Sequence, residues 1–364
     1  MTMQRLRIAV LAHIRHPIRQ PFMGGMESHA WYLTRGLMAR GHDVTLLASG
    51  DSDPDLPVLP VLPEHYERTM PWAQWHKTEH FALAQAGHFA NAGRLMAEGG
   101  FDIIHNNSLH PAPLDWAAEA GQPMVTSLHV PPFRLLREAV ERNTAPWMLN
   151  TVTSQVQMET WWNGVPATAR VASNGIDPAR WPYRASGDGS LAWVGRIAPT
   201  KGTVDAVKAA RIAGRPLTLY GPVDDATYYE TQVVPLLGGD VVHAGHLGSD
   251  GLAEAVGRAS ALLFTPLWNE PFGLTAIEAM ACGVPVAAYD NGAAREVIGD
   301  SGAYATPDDI EGLADAIEAA TALPRCDARR RVERHFSLDR MIDRYEACYR
   351  DAIDGLTTPM RKAI

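Results

Sequence analysis

Lysine is almost absent from this sequence: Lys77, Lys201, Lys208 and Lys362 are the only four in 364 residues. Cysteine is as scarce. Cys282, Cys326 and Cys348 are too few and too scattered for a disulfide framework or a zinc site, and are expected to be small buried residues in a reducing cytoplasm. No apolar run approaches the ~18 uninterrupted residues of a membrane span. Positive charge is in deficit: 32 Lys and Arg against 41 Asp and Glu give a net charge of −9. That excludes a nucleic-acid binder relying on a broadly basic surface, and no nucleic-acid partner is expected. A signal peptide is also disfavoured, because His13, Arg15 and His16 interrupt the first apolar run too early and no small-residue cleavage site follows. Nor does G-x-G-x-x-G follow that run, so the dinucleotide fingerprint of a nicotinamide oxidoreductase is missing there.

What remains is the composition of an ordinary globular chain, 46% hydrophobic and 20% charged. Its length suggests about two domains. Both halves alternate short apolar runs with segments of helical period, the pattern of parallel α/β sheets. Strands are predicted over 7–13, 43–48, 102–105 and 123–128, then over 191–195, 216–220, 241–244, 261–265 and 284–289. Helices are predicted over 26–40, 203–213 and 249–258, and a long amphipathic one opens after Ser337. The Gly-, Pro-, Ser- and Asp-rich stretch 173–190 marks the join. The expected architecture is therefore two doubly wound, Rossmann-like α/β domains facing a cleft. The first is 1–176 and the second 177–339, followed by the long helix over 340–364. Ligands of such sheets bind beyond the carboxyl ends of the strands.

The motifs fall at those ends. NEPFGLTAIEAMACGVPV (269–286) places Glu270 just before a helix start near Gly273 or Leu274, and Glu278 about one turn inside it. A helix N-terminus carries unpaired N–H groups and attracts phosphate or sugar oxygens. WVGRIAPTKG (193–202) sets Arg196 and Lys201 on the loop after a strand, a pair suited to clamping a diphosphate. Gly24 and Gly25 open the first long helix, where a bare backbone can approach a phosphate. His129 ends a strand before Pro131 and Pro132. Each element also has a plain structural reading: a helix-end charge, a surface cation, a turn, a packed histidine. DSDPD (51–55) reads as an acidic surface loop rather than a metal cluster.

Taken together, NEPFGLTAIEAMACGVPV, VGRIAPTKG, SNGID (173–177) and GGMES (24–28) resemble family 4 of the nucleotide-sugar glycosyltransferases, which have the GT-B fold. The resemblance runs over nearly the whole chain in the right order. It implies a retaining transferase for a nucleoside-diphosphate sugar, with no cofactor and no required metal. His129, Glu270, Arg196 and Lys201 would then be catalytic. Gly24, Gly25, Tyr220, Gly221, His246, Leu247, Pro271, Phe272, Gly273, Leu274, Thr275 and Glu278 would line the donor. Within that set, Glu270 would bond the sugar, Glu278 the ribose, and Arg196 with Lys201 the diphosphate. The resemblance puts the acceptor on the first domain, with the helix over 340–364 crossing back onto it, and the donor on the second. The acceptor, a saccharide or other small molecule, is expected to meet Arg15, His16, Arg19, Asn107, Trp72 and Trp75, and an anionic group on it would lie near Arg15 or Arg19. The loop 14–23 and the Trp-rich segment 72–76 match nothing specific in the family. Two other readings stay open: a nucleotide-sugar epimerase of the same architecture, and a non-catalytic nucleotide-sugar-binding protein.

Overall fold

Thirteen short strands form two separate, wholly parallel sheets in the computed structural model, which describes residues 4–357. The first sheet contains β1 (Arg7–Leu11), β2 (Asp43–Ser49), β3 (Val58–Leu62), β4 (Ile103–Asn106), β5 (Met124–Leu128), β6 (Met148–Val152) and β7 (Ala169–Val171), in the order β3-β2-β1-β4-β5-β6-β7. The second contains β8 (Leu191–Val194), β9 (Leu217–Tyr220), β10 (Val241–His243), β11 (Ala261–Phe264), β12 (Val286–Tyr289) and β13 (Gly302–Ala305), in the order β10-β9-β8-β11-β12-β13. Strand order reverses beside β1 in one sheet and beside β8 in the other. At such switch points the crossovers leave in opposite directions and open a crevice at the strand ends. The loops carrying Gly24 and Arg196 leave from those two strands.

Parallel strands covered by helices on both faces need apolar residues on both faces. In the second sheet alternate residues feed two cores. Ala192, Leu262, Phe264, Val286 and Ala288 pack on one side with the helix Leu274–Ala281. Leu191, Trp193, Leu263, Ala287 and Tyr289 pack on the other with the helix Thr203–Ile212. The small residues Ala276, Ala279 and Ala281 let the helix Leu274–Ala281 lie close to its sheet.

The chain divides into two compact units. The first takes the residues up to Thr153, then Met158–Ala172, and again from Met341 onward; the second takes Ser154–Gln157 and Ser173–Arg340. The last helix, Leu338–Thr357, begins where Ser337 Oγ accepts from Arg340 N–H at 3.4 Å. Its buried face, Met341, Ile342, Tyr345, Cys348, Tyr349 and Ala352, has helical spacing. The end of the expected helix, 358–364, lies outside the described residues. The first strand is shorter than expected: it stops at Leu11, and His13 is already in the loop. Strands β3, β6, β7 and β13 were not anticipated. One cysteine also departs from expectation. Cys282 and Cys348 are buried, but Cys326 is exposed, because it sits in the first turn of the polar helix Arg325–His335, beside Asp327 and Arg330.

That helix uses arginine to satisfy the open carbonyls of neighbouring segments. Arg325 donates to the carbonyls of Gly257, Ala259 and Cys282. Arg331 donates to those of Glu296 and Val297. Arg329 donates to Pro178, Trp181 and Ala281 at 3.1, 2.7 and 2.7 Å. Replacing Arg329 by alanine strands three carbonyls at once. The expected result is a loss of about 2 kcal/mol and a melting midpoint lower by roughly 4–8 °C. A thermal melt of Arg329→Ala that overlays the wild type would show that water replaces these bonds at no cost.

Candidate active site

In the second unit the loops after β8 and β11 are tied together. Thr265, next after β11, donates its hydroxyl to the carbonyls of Lys201 and Gly202 and accepts from Trp193 Nε1–H at 3.1 Å. Leu267 N–H donates to Thr200 O at 2.9 Å. Gly202 has φ +65°, and a Cβ there would lie 2.1 Å from Thr265 O, so only glycine fits this approach. The turn therefore delivers Lys201 to Glu270. Lys201 Nζ donates to Glu270 Oε2 at 2.5 Å, and Trp268 Nε1–H donates to the same oxygen at 2.8 Å. The ammonium also lies 4.9 Å from the Trp268 ring centroid.

The Glu270 backbone is fixed from the other side. Its carbonyl accepts from Ala293 N–H at 2.9 Å, and Asn291 Nδ2 donates to Pro266 O at 3.1 Å. Gly292, at φ +58°, packs so closely that a Cβ would meet Glu270 N and O at 2.4 Å. Pro271, Phe272 and Gly273 are buried behind Glu270, while Leu274 and Thr275 are half-buried at the start of the helix. Gly273 precedes the first turn at φ +95°. A cation, a carboxylate and a helix N-terminus thus meet where these two loops join, a set that can bind oxyanions and hydroxyls together.

Glu278 sits in the same helix. It is half-buried, and no hydrogen bond or ion pair of its carboxyl occurs among the described residues. Burial pushes its carboxyl up to about 8. Arg196 is separate from the Lys201 pair: its Nη1 donates to Asp224 Oδ2 at 2.7 Å. Asp224 and Asp225 N–H both reach Ile197 O at 3.2 Å, which fixes the two loops against each other. Tyr220 ends β9 and Gly221 opens its loop, where Gly221 N–H donates to Gly245 O at 2.9 Å and Gly221 O is hydrogen-bonded to His243 Nε2 at 3.0 Å. His246 and Leu247 are half-buried in the next loop.

In the first unit Gly24 is the residue before the helix Gly25–Ala39, in extended backbone at φ −168°. Glu27, buried in the first turn, places a carboxylate near the helix N-terminus. Two residues on, the His29 ring lies 4.3 Å from that of His129. His129 follows β5 directly, and its Nε2 is hydrogen-bonded to Asn107 Oδ1 at 3.1 Å. Burial pulls the His129 imidazole down to about 4, so it is neutral at physiological pH. The Asn107 bond places its proton on Nε2. Asn107 Nδ2 is buried and has no hydrogen-bond partner.

A polar column lies beneath these rings. His105 Nδ1 meets Tyr349 OH at 2.6 Å, and its Nε2 meets Ser127 Oγ at 2.9 Å. Ser127 Oγ donates to Tyr345 OH at 3.1 Å, and Tyr345 OH lies 3.5 Å from His29 Nε2. Two tyrosines from the last helix therefore support the histidines near β4 and β5.

Of the expected acceptor residues, Arg15 and Trp72 come together. Arg15 donates to Glu67 Oε2 at 2.8 Å and lies 5.6 Å from the Trp72 ring centroid. Trp72 stacks on His76 at 4.8 Å and 16°. Trp75 tilts against His80, and His16 against His65. Arg19 is exposed, with no ion pair among the described residues. DSDPD is more engaged than a plain surface loop. Asp51 bonds His65 at 2.5 Å, Asp53 accepts from Trp31 Nε1–H at 2.8 Å, and Ser52 is buried. Sequence reasoning gave no role to Trp268, His29 or Tyr345. Trp268 stands just before a quoted motif, but loop residues have no period that shows where a side chain turns.

The sequence profile of Glycosyltransferase Family 4 matches residues 23–180, and that of Glycosyl transferases group 1 matches residues 180–335. A glycogen synthase of Mycobacterium tuberculosis is 28% identical, with 85% of each chain covered. A D-inositol 3-phosphate glycosyltransferase of Mycobacterium avium is 27% identical, over 98% of this chain and 96% of the relative. The Anabaena protein HepE, solved with UDP-glucose, shares the fold with a TM-score of 0.73 at 18% identity, over 93% of this chain and 98% of that one. Among the described residues no helix is long and apolar enough to cross a membrane. The two profiles meet at residue 180, close to where the chain passes from one parallel sheet to the other, and together with the relatives they make this chain a family 4 glycosyltransferase of the GT-B fold.

Proposed function

We propose that this glycosyltransferase moves a sugar from a nucleoside-diphosphate sugar to a saccharide or small polyol acceptor, with retention of anomeric configuration and without a required metal. The observation that carries this reading is the Lys201–Glu270 pair at the head of the helix Leu274–Ala281. A diphosphate needs cations and amides, a sugar needs a carboxylate for its hydroxyls, and both are supplied where the loops after β8 and β11 meet. Lys201 and Arg196 take the diphosphate, with the amides of Phe272, Gly273 and Leu274. Glu270 takes sugar hydroxyls and Glu278 the ribose. Tyr220, Gly221, His246 and Leu247 border the base, and Gly24 and Gly25 approach the phosphates.

As the bond between sugar and phosphate breaks, positive charge builds on the sugar and negative charge on the diphosphate. Cations and amides already in place stabilise that charge without reorganising, which is usually the largest catalytic contribution. The leaving phosphate takes the acceptor proton. His129, neutral and with its proton fixed on Nε2 by Asn107, suits a hydrogen-bonding role beside the sugar rather than that of a charged acid. Arg15 is already matched by Glu67, which favours an uncharged acceptor there over an anionic one.

HepE binds UDP-glucose, which makes it the first donor to assay. The test is a transfer reaction with UDP-glucose and a panel of sugars and polyols, run with and without excess EDTA. The expected result is an acceptor-dependent glycoside of unchanged anomeric configuration, at the same rate in chelator. Complete loss in EDTA that metal restores would overturn the metal-free reading and return attention to residues 51–55. Conversion of the donor to an epimer without any acceptor would favour the epimerase.

A further inference from the structure

We infer that Trp268 is a positioning residue for Glu270, holding one carboxylate oxygen so that the other faces the sugar. This rests on the reading that Glu270 bonds sugar hydroxyls. Glu270 Oε2 receives two donors, Lys201 Nζ at 2.5 Å and Trp268 Nε1–H at 2.8 Å. Oε1 receives none among the described residues. The glutamate side chain is only 12% exposed, so the oxygen left open is the one available to a ligand. Trp268 touches both ends of the pair, with its N–H on the carboxylate and its π face 4.9 Å from the Lys201 ammonium.

The two donors differ once a diphosphate arrives. The ammonium is a point charge that an incoming diphosphate attracts, so its bond to Glu270 is shared or lost. The indole N–H is neutral and is not drawn to phosphate. It remains on Oε2 and fixes the carboxylate plane at the stage when a hydroxyl bond from Oε1 orients the anomeric carbon. Glu270 cannot turn as a whole, because its carbonyl is tied to Ala293 N–H and Gly292 packs against its backbone. Only the side-chain torsions are free, and those are what the indole restrains.

Trp268→Phe keeps an aromatic face under Lys201 and removes the N–H. A hydrogen bond to a charged group corresponds to about a ten- to hundredfold effect. The expected result is a kcat lower by that factor, an unchanged melting midpoint, and affinity for the nucleoside diphosphate within about twofold of wild type by calorimetry, since that ligand lacks the sugar. The calorimetry also reports whether the donor loop remains folded. In a double-mutant cycle Trp268→Phe should add little to Glu270→Gln, because both act through one carboxylate. A wild-type kcat for Trp268→Phe beside a crippled Glu270→Gln overturns this inference alone, as does full additivity of the two. Wild-type turnover by Glu270→Gln overturns the sugar-binding reading of Glu270 and this inference with it.

Discussion

Lys201→Ala is expected to lower kcat by about ten- to two-hundredfold, the rate equivalent of a hydrogen bond from a charged group made in the transition state. The ammonium is half-buried, lies against Trp268 and touches Glu270, while Arg196, the other proposed diphosphate cation, is paired with Asp224. Its removal also leaves Glu270 with the indole as its only donor among the described residues. Stability should change little, because the turn that carries Lys201 is held by Thr265 and Gly202 rather than by the ammonium. Arg196→Ala should have a smaller effect. Arg196 is more exposed, at 39% against 22%, and already shares its charge with Asp224. Steady-state kinetics on both variants, with a thermal melt of each, decide the matter. Wild-type turnover in Lys201→Ala would remove the diphosphate contact from the proposal, and a collapsed melt would make the lysine structural.

The two glutamates of the motif should fail in different ways, and pH separates them further. Glu270→Gln is expected to spare affinity for the free nucleoside diphosphate while lowering kcat strongly, since the contact it loses matters as charge builds on the sugar. Glu278→Gln should weaken nucleotide and donor alike, because the ribose is common to both. Burial raises the Glu278 carboxyl to about 8, so near pH 7 it is mostly protonated and glutamine imitates it well. The affinity loss should therefore be small at pH 7 and grow towards pH 9. Stability carries the same sign. The folded state keeps a proton on Glu278 over a range in which the unfolded chain, with an ordinary carboxyl, has released it. Wild-type stability contributed by this group therefore falls as pH rises from the ordinary glutamate value to about 8. Glu278→Gln should remove that slope. Calorimetry with the nucleoside diphosphate at pH 7 and pH 9, together with melts across the interval, measures both effects. Equal loss of nucleotide affinity in the two variants would end the division of labour between them, and identical pH slopes in wild type and Glu278→Gln would show that Glu278 is not held protonated.

Strands central to a sheet were legible because burial on both faces leaves a nearly unbroken apolar run, as in the IAVL of β1, the ALLF of β11 and the VAAY of β12. Three of the missed strands lie at sheet edges, where one side lacks a neighbour and the composition relaxes. Strand β3 carries Pro60, β7 has three residues, and β13 reads GAYA. The fourth, β6, is interior, but Asn150 and Thr151 break its run. Its Thr151 hydroxyl is hydrogen-bonded to Ser127 on β5 at 3.0 Å, so a polar pair stands where hydrophobic pairing would have given the strand away. Lys201 and Glu270, which the structure joins, were legible as candidates because their motifs sit at fixed offsets from strand ends.

By itself the sequence determined the two-sheet architecture, the family and the candidate loops at the strand ends, because period and turn residues are local properties that a linear chain displays. Only the tertiary structure decided which side chains meet: Lys201 with Glu270 across 69 positions, Arg15 with Glu67 across 52, and His29 with Tyr345 across 316. Such pairs follow from loops brought together at a switch point and from a last helix returning to the first unit. A contact of that kind leaves no period in the chain, because the distance it closes is set by packing and not by the residues between.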